Sequence, residues 1–436
     1  MPFQLDRRRW LQRSTAAITA LPVVGFWTGT RGDDTPTLLQ KLRIAAIGVG
    51  NRGASNLLAL AGEDIVGLCD VDQELMNPMS RRFPAARTFR DFRELLEMDN
   101  LDAVIISTPD HTHYLAAMLA MQRGLHVYCE KPLAHSVWEV RQMAAAAKQY
   151  KVVTQFGNHH HTSEGYRRVA EIIQSGVIGA VREVHAWTNR PIWPQGIAPP
   201  TDVQPVPAYL DWDLWLGPAP VRPFHETYHP SGWRGWRDFG CGALGDMGPH
   251  LLDPVFWALK LTYPTHIVAQ SPPCNADTFP ASSSVQFVFP ARDQLPPVEL
   301  SWYDGQQQPT REVTGVDQLP SNGVLFLGER AKLFAPDYGG LPIVMPAKVG
   351  EVIPLPKPFL PESPGHHVQW LRACKENRAT SSDFEYAARL TETCLLGNIA
   401  TRVRKPLHWN ADTTQFLNHG PANQHLRRQY RDGWKL

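Results

Sequence analysis

One short stretch constrains this chain more than any other. Gly48-Val49-Gly50-Asn51-Arg52-Gly53 follows the apolar run 42–47 and leads into a helical pattern over 54–61. In a strand–turn–helix unit of this kind the first glycine permits the tight turn. The second lets a pyrophosphate approach the backbone, and the third lets helix pack on strand. The helix N-terminus then faces the phosphates. Asp70 closes the next apolar run, 65–69, about 20 residues further on. An acidic side chain there accepts both ribose hydroxyls and repels a 2′-phosphate, which favours NAD over NADP.

The pattern around this unit repeats. Apolar runs at 103–108, 126–130 and 152–155 alternate with helical patterns at 92–98, 112–123 and 136–150. Strands separated by helices of this length predict a doubly wound parallel sheet, so 42–156 is expected to be a Rossmann domain. The texture changes between Gln155 and Asn158. Alternating stretches at 181–188, 284–289, 298–302 and 323–327 predict a second sheet, large, open and mostly antiparallel. Helical patterns return at 366–375 and 384–402. The expected fold class is therefore α/β, with the Rossmann sheet followed by a C-terminal α+β domain over 157–436. With 436 residues, two cores are the natural solution.

Composition excludes some partners. Hydrophobic residues make up 43% and charged residues 19%, as in folded globular chains. The formal charge is +1, with no basic tract beyond the first fifteen residues, so nucleic acid is not an expected partner. Near the start, Asp6-Arg7-Arg8-Arg9-Trp10-Leu11-Gln12 precedes a charge-free apolar run, 16–27, interrupted by Pro22 and Gly25. This is the pattern of a twin-arginine export signal over 1–30, followed by a linker over 31–41. The run is too short and broken for a stable membrane span. The expected location is periplasmic, or membrane-associated through an uncleaved leader. The six cysteines form no C-x-x-C pair and are expected to be free thiols.

Chemistry concentrates at strand ends, which line the ligand crevice of an open parallel sheet. Ser107-Thr108-Pro109-Asp110-His111-Thr112-His113 ends one run and Glu130-Lys131-Pro132 the next. Lys131, preceding proline, is biased to an extended backbone. Asp246 and His250 lie four apart at the start of a helix expected over 247–259, and so share a face. Pro249 fits the first helical turn, where Asp246 would also serve as the N-cap. His159-His160-His161 and His185 invite a metal reading. Neighbouring side chains on an extended segment diverge, so no metal site is expected.

In combination these residues resemble the Gfo/Idh/MocA oxidoreductases. The resemblance rests on GVGNRG, CDVD, STPDHTHY, EKPLAHS, QFGNHHH, WRGWRDFGCGALGDMGPHLLD and LTETCLLGNIA, and covers 42–436. With the leader, the chain looks most like the secreted, glucose-fructose-oxidoreductase-like members, although histidines at 159 and 160 depart from most relatives. The resemblance implies a catalytic set of Lys131, Asp246 and His250. It implies cofactor contacts from Gly48, Gly50, Asn51, Arg52, Gly53, Asp70, Thr108, Pro109, His113, Glu130, Lys131, Trp236 and Arg237. His161 is expected to approach substrate along with Lys131, Asp246 and His250. The second sheet is expected to carry a sugar site and a homo-oligomer interface.

The implied reaction moves hydride from a sugar carbinol to the nicotinamide while His250 removes the hydroxyl proton. Lys131 would stabilise the charge developing on oxygen, and Asp246 would orient His250 or bind a neighbouring hydroxyl. Free nicotinamide cofactor is not expected outside the cytoplasm, so an exported enzyme would keep NAD(H) bound and restore it in place. Three readings follow: sugar oxidoreduction, redox-neutral NAD-dependent glycoside cleavage, and a non-catalytic sugar-binding protein on the same scaffold.

Overall fold

Six strands assemble into a parallel sheet. They are β1 (Arg43–Ile47), β2 (Asp64–Cys69), β3 (Arg87–Phe89), β4 (Ala103–Ile106), β5 (His126–Cys129) and β6 (Thr154–Phe156), in the order 3-2-1-4-5-6 with every pair parallel. All of β4 is buried, as expected of a strand covered by helices on both sides. The crossovers are α1 (Arg52–Ala59), α2 (Gln73–Arg82), α3 (Phe92–Leu96), α4 (His113–Gln122) and α5 (Val137–Tyr150). Side chains of Asp72, Asp91 and Ser136 cap α2, α3 and α5 by accepting from their first-turn amides. Sequence reading missed α2 and β3. The first is polar and carries Pro78 inside it; the second is three largely exposed residues.

This computed structural model describes residues 40–435 apart from Cys274 and Val349. The expected leader, almost all of the linker and Cys274 lie outside these residues. The five described cysteines are free and buried. No helix among the described residues is long and apolar enough to cross a membrane.

The second sheet begins with β7 (Val181–Trp187) and continues through β8 (His266–Gln270), β9 (Ser283–Phe289), β10 (Val298–Asp304), β11 (Gly323–Gly328), β12 (Ala331–Pro336), β13 (Ile343–Pro346), β14 (Leu407–Asn410) and β15 (Gln415–Phe416). Their order is 13-12-11-7-10-9-8-14-15; β7–β10 pair in parallel and the other pairs are antiparallel. Around it lie α6 (Glu164–Gln174), α7 (Trp212–Leu216), α8 (Gly242–Leu251), α9 (Asp253–Leu259), α10 (Arg311–Thr314), α11 (His366–Glu376) and α12 (Phe384–Val403). One hydrophobic cluster runs from Val104 and Leu115 through Met143 and Leu396 to Phe287 and Trp302, so both sheets share a core.

Two features differ from the sequence expectation. The helix foreseen over 247–259 is two helices. Here α8 starts earlier, at Gly242, and α9 begins after Leu252, with Pro254 in its first turn. Pro249 lies in the last turn of α8, where its missing N–H removes an intrahelical bond and favours a break nearby. Asp246 is therefore mid-helix, not an N-cap; Cys241 occupies that position. Second, α11 packs into the Rossmann core. Its Trp370, Ala373 and Cys374 join Ile44, Ala46, Leu57 and Tyr128, and Lys375 Nζ lies 2.7 Å from Glu63 Oε1. The segment 42–156 completes its own core only with residues from 370 onward.

Candidate active site

A crevice of about 500 Å³ opens at the C-terminal ends of β1, β2, β4 and β5. Its nucleotide end is built from backbone. Gly48 turns at φ +81°, and a Cβ on it would lie 2.7 Å from Ser107 C. A Cβ on Gly53 would lie 2.0 Å from the Gly48 carbonyl oxygen, so only glycine lets α1 start this close to β1. A Cβ on Gly50 would meet the Leu75 side chain at 2.6 Å. Asp70 lines the crevice and is fixed by two amides: Val49 N donates to Oδ2 at 2.9 Å and Asp72 N to Oδ1 at 3.0 Å. Burial raises its pKa above the usual carboxylate value, although the two amide bonds oppose the shift. A tight glycine cradle with a braced carboxylate at the second strand end fits an adenosine dinucleotide.

Beyond the glycines the wall is a side-chain network. Arg52 Nε donates to Glu130 Oε1 at 3.2 Å. Asn56 Nδ2 reaches the same oxygen at 3.0 Å and Ser107 Oγ at 3.1 Å. Asn51, Arg52, Thr108, Pro109 and Glu130 all line the crevice. His113 does not. Its ring is fully buried between the Pro132 carbonyl at 2.9 Å and the Thr108 carbonyl at 2.8 Å, so it ties the end of β4 to the Lys131–Pro132 turn, a cis peptide. Gly53 likewise acts through packing and does not line the crevice.

The other end holds the titratable groups. Lys131 and His250 line the crevice. Asp246 stands behind them, with Oδ1 accepting from Lys131 Nζ at 2.7 Å and from Arg234 Nε at 3.3 Å. Burial alone would raise the Asp246 pKa; the Lys131 and Arg234 charges outweigh it and hold the carboxyl at about 2. His250 follows one helical turn after Asp246 on α8. Burial, aided by the Lys131 charge, pushes its imidazole well below the ordinary value, so the ring is neutral at physiological pH. Its backbone carbonyl accepts from Tyr166 Oη at 2.9 Å. The structure thus brings Lys131, Asp246 and His250 together from β5 and α8. In this arrangement a neutral imidazole can take a proton while a clamped cation faces the same space.

Three further sequence expectations do not hold in this geometry. Trp236 is fully buried against Tyr228, with ring centroids 4.9 Å apart, and forms a β-bridge with Thr278. Arg237 donates from Nε to the Thr278 carbonyl at 3.0 Å, lies 4.4 Å over the Phe279 ring, and lines a different cavity. The crevice is lined instead by Trp233 and Arg234, the first copy of the same Trp-Arg pair. The turn Gly232–Gly235 aims that copy inward, whereas pairing with 277–278 draws the second copy away.

His161 is the third. It is buried, bonded through Nδ1 to Asp253 Oδ1 at 2.9 Å and stacked on Trp257 at 4.4 Å. His159 lines the crevice in its place. The three histidines lie on a 3₁₀ turn: the His159 and His160 rings are 3.7 Å apart and lie 6.0 and 5.7 Å from the His250 ring, whereas His161 turns away to Asp253. His185, on β7, bonds Glu183 and Tyr303. Among the described residues no group of three His, Cys, Asp or Glu side chains converges as a metal site. Most tryptophans of the 190–240 stretch are core: Trp212 and Trp215 stack at 4.6 Å within an aromatic cluster with Phe239. Sequence reading also passed over Asp110, which lines the crevice and whose carboxyl burial raises to about 6. It sits inside the strand-end motif that was singled out, between Pro109 and His113.

A Rossmann crevice whose far end is closed by a lysine from the end of β5 and an aspartate and a histidine from α8 defines a two-domain dinucleotide-binding α/β protein. The chain belongs to the Gfo/Idh/MocA oxidoreductase family: residues 42–158 match its NAD-binding Rossmann fold and residues 166–293 its C-terminal alpha/beta domain. NAD is accordingly the cofactor of the first domain. The chain is 25% identical over 228 residues to levoglucosan dehydrogenase of Pseudarthrobacter phenanthrenivorans, covering 49% of this chain and 50% of that one. It is 29% identical over 282 residues to a glycosyl hydrolase family 109 protein of Saccharopolyspora erythraea, covering 57% and 54%. The chain thus spans about half the length of these curated relatives. The fold matches the WlbA dehydrogenase from Bordetella pertussis, solved with NADH and UDP-GlcNAcA, at a TM-score of 0.63 and 17% identity, covering 86% of this chain and all of that one.

Proposed function

We propose that this protein is an NAD-dependent oxidoreductase acting on a carbinol of a sugar or sugar derivative. The observation that carries the reading is the Lys131–Asp246–His250 set at the open end of the glycine-built crevice. When bound, NAD supplies the hydride acceptor. Neutral His250 takes the hydroxyl proton. Lys131 donates a hydrogen bond to the reacting oxygen and stabilises its developing charge. Asp246 acts on Lys131 rather than on His250: its short bond fixes the ammonium, and Arg234 donates to the same carboxylate oxygen. Asp246 is therefore a positioning residue in this reading.

The leader supports the finer reading. Arg7-Arg8 before an apolar run suits export by the twin-arginine route to the periplasm, as in the secreted branch of the family. Resident NAD(H), reoxidised by a second sugar, then meets the lack of free cofactor outside the cytoplasm. The open face of the second sheet, where exposed Val268 sits opposite Gln286, is the surface we assign to a homo-oligomer. A second reading, NAD-dependent glycoside hydrolysis, draws support from the similarity to the family 109 protein over more than half of this chain. The intact Lys131, Asp246 and His250 argue against a non-catalytic protein.

The test has two arms. Denaturing the purified protein should release NAD(H), and a panel of sugars should then reduce bound NAD without cleavage. Release of phenol from aryl glycosides with no added cofactor would establish the hydrolase instead. Absence of both reduction and cleavage would overturn both readings.

A further inference from the structure

A second cavity, of about 290 Å³, opens where the chain enters α8. Its wall is strongly basic. Arg237, Arg402, Arg427 and Arg428 line it together with His135 and His425. Among the described lining residues the one carboxylate is Asp238, and Arg222 is bonded to it. Arg428 is neutralised by Glu139, at 2.9 Å. Arg402, in the last turn of α12, and Arg427, stacked 4.0 Å over Trp138, donate no hydrogen bond to any described residue. Gly240 and Cys241 also line the cavity, and Cys241 is the N-cap of the ten-residue α8 without a side-chain cap. The opening amides of α8 therefore add partial positive charge. Burial, with the Arg402 and Arg237 charges, pushes the His425 ring down to about 4, so that side chain adds no positive charge at neutral pH.

We propose that this cavity binds a small phosphate-bearing anion. Guanidinium forks match tetrahedral oxyanions in a bidentate manner, and a concave site concentrates their field. The site is separate from the dinucleotide crevice and shares no lining residue with it. It sits at the opposite end of α8 from His250, the helix whose last turns supply the reacting end.

The test is calorimetric titration of inorganic phosphate into the full chain, with and without saturating NAD, chloride holding ionic strength constant. A saturable phosphate site that NAD does not displace is expected. Arg402→Gln with Arg427→Gln should weaken it roughly tenfold or more per arginine, because hydrogen bonds to charged groups contribute at that level. The double lysine variant should retain part of the affinity, since it keeps charge but loses the fork. Both arginines are exposed, so an unchanged melting temperature without phosphate checks that the variants fold. No saturable heat, complete displacement by NAD, or equal affinity in the glutamine variant would overturn the proposal. Co-sedimentation with phosphatidylglycerol vesicles, without binding of free phosphate, would assign the arginines to a lipid surface and also overturn it.

Discussion

The two ends of the crevice are built in different ways. The nucleotide end is a property of backbone: Gly48 and Gly53 leave no room for a Cβ, and Asp70 is held by two amides within a single βαβ unit. The reacting end is a property of side chains brought from distant segments. Lys131 comes from the end of β5, Asp246 and His250 from α8, Arg234 from a turn, and His159 from beyond β6. Local geometry can specify the first end. The second exists only because both sheets share one core. Substitutions should therefore separate binding of NAD from turnover.

His250→Ala should be the most damaging to chemistry, lowering kcat ~10²–10⁴-fold while bound NAD is kept, as measured by steady-state rates and by NAD released on denaturation. Loss of NAD in this variant would break the separation. Asp70→Asn tests the other end. It removes a charged acceptor for the ribose, so NAD affinity should fall roughly ten- to a hundredfold while kcat at saturating NAD is preserved. Fluorescence titration with NADH provides the measurement.

The two Trp-Arg copies sharpen the comparison further. Arg234→Gln should lower kcat by about tenfold, the scale of one charge-assisted hydrogen bond, because it loosens the clamp on Asp246. Arg237→Gln should leave both kcat and NAD affinity unchanged. A reversed ranking would mean that the crevice is closed by the other copy.

The last comparison concerns pH. Burial pushes His111 to about 3, and with neighbouring charge pushes His159 to about 3 and His160 to about 4. These rings stay neutral in the folded state, whereas unfolded histidine titrates near 6.5. Between those values the unfolded chain binds more protons, so stability is fully present above about pH 6.5 and is lost as pH falls. The loss is about 1.4 kcal/mol per pH unit for a fully buried ring such as His111. Asp246, held at about 2, acts in the same direction but only below about pH 4. The melting temperature should therefore drop between about pH 7 and pH 5. An unchanged value would show that His111, His159 and His160 are not buried as neutral rings.

Much of this was legible in the sequence. The glycine unit, Asp70 and the parallel sheet all rest on local patterns: short turns that need glycine, and periods that distinguish strand from helix. Lys131, Asp246 and His250, which the family resemblance implied, lie close together, and their strand-end and i, i+4 positions are local signals that agree with it. Their partners were not legible. Asp246 looked like an N-cap because Pro249 suggests a first turn, yet α8 begins at Gly242 and tolerates the proline near its other end. Asp246 looked like a partner for His250, but its carboxylate is bonded to Lys131, 115 positions away.

By itself, then, the sequence determined where a dinucleotide would lie, since steric room at a glycine is decided by the neighbouring turn. Tertiary structure decided which of two identical Trp-Arg pairs closes the crevice, and which of three consecutive histidines lines it. Those choices follow from long-range contacts: the bridge from Trp236 to Thr278, and the bond from His161 to Asp253. No periodicity encodes such contacts, because they join side chains and strands that are distant in sequence and meet only in the folded chain.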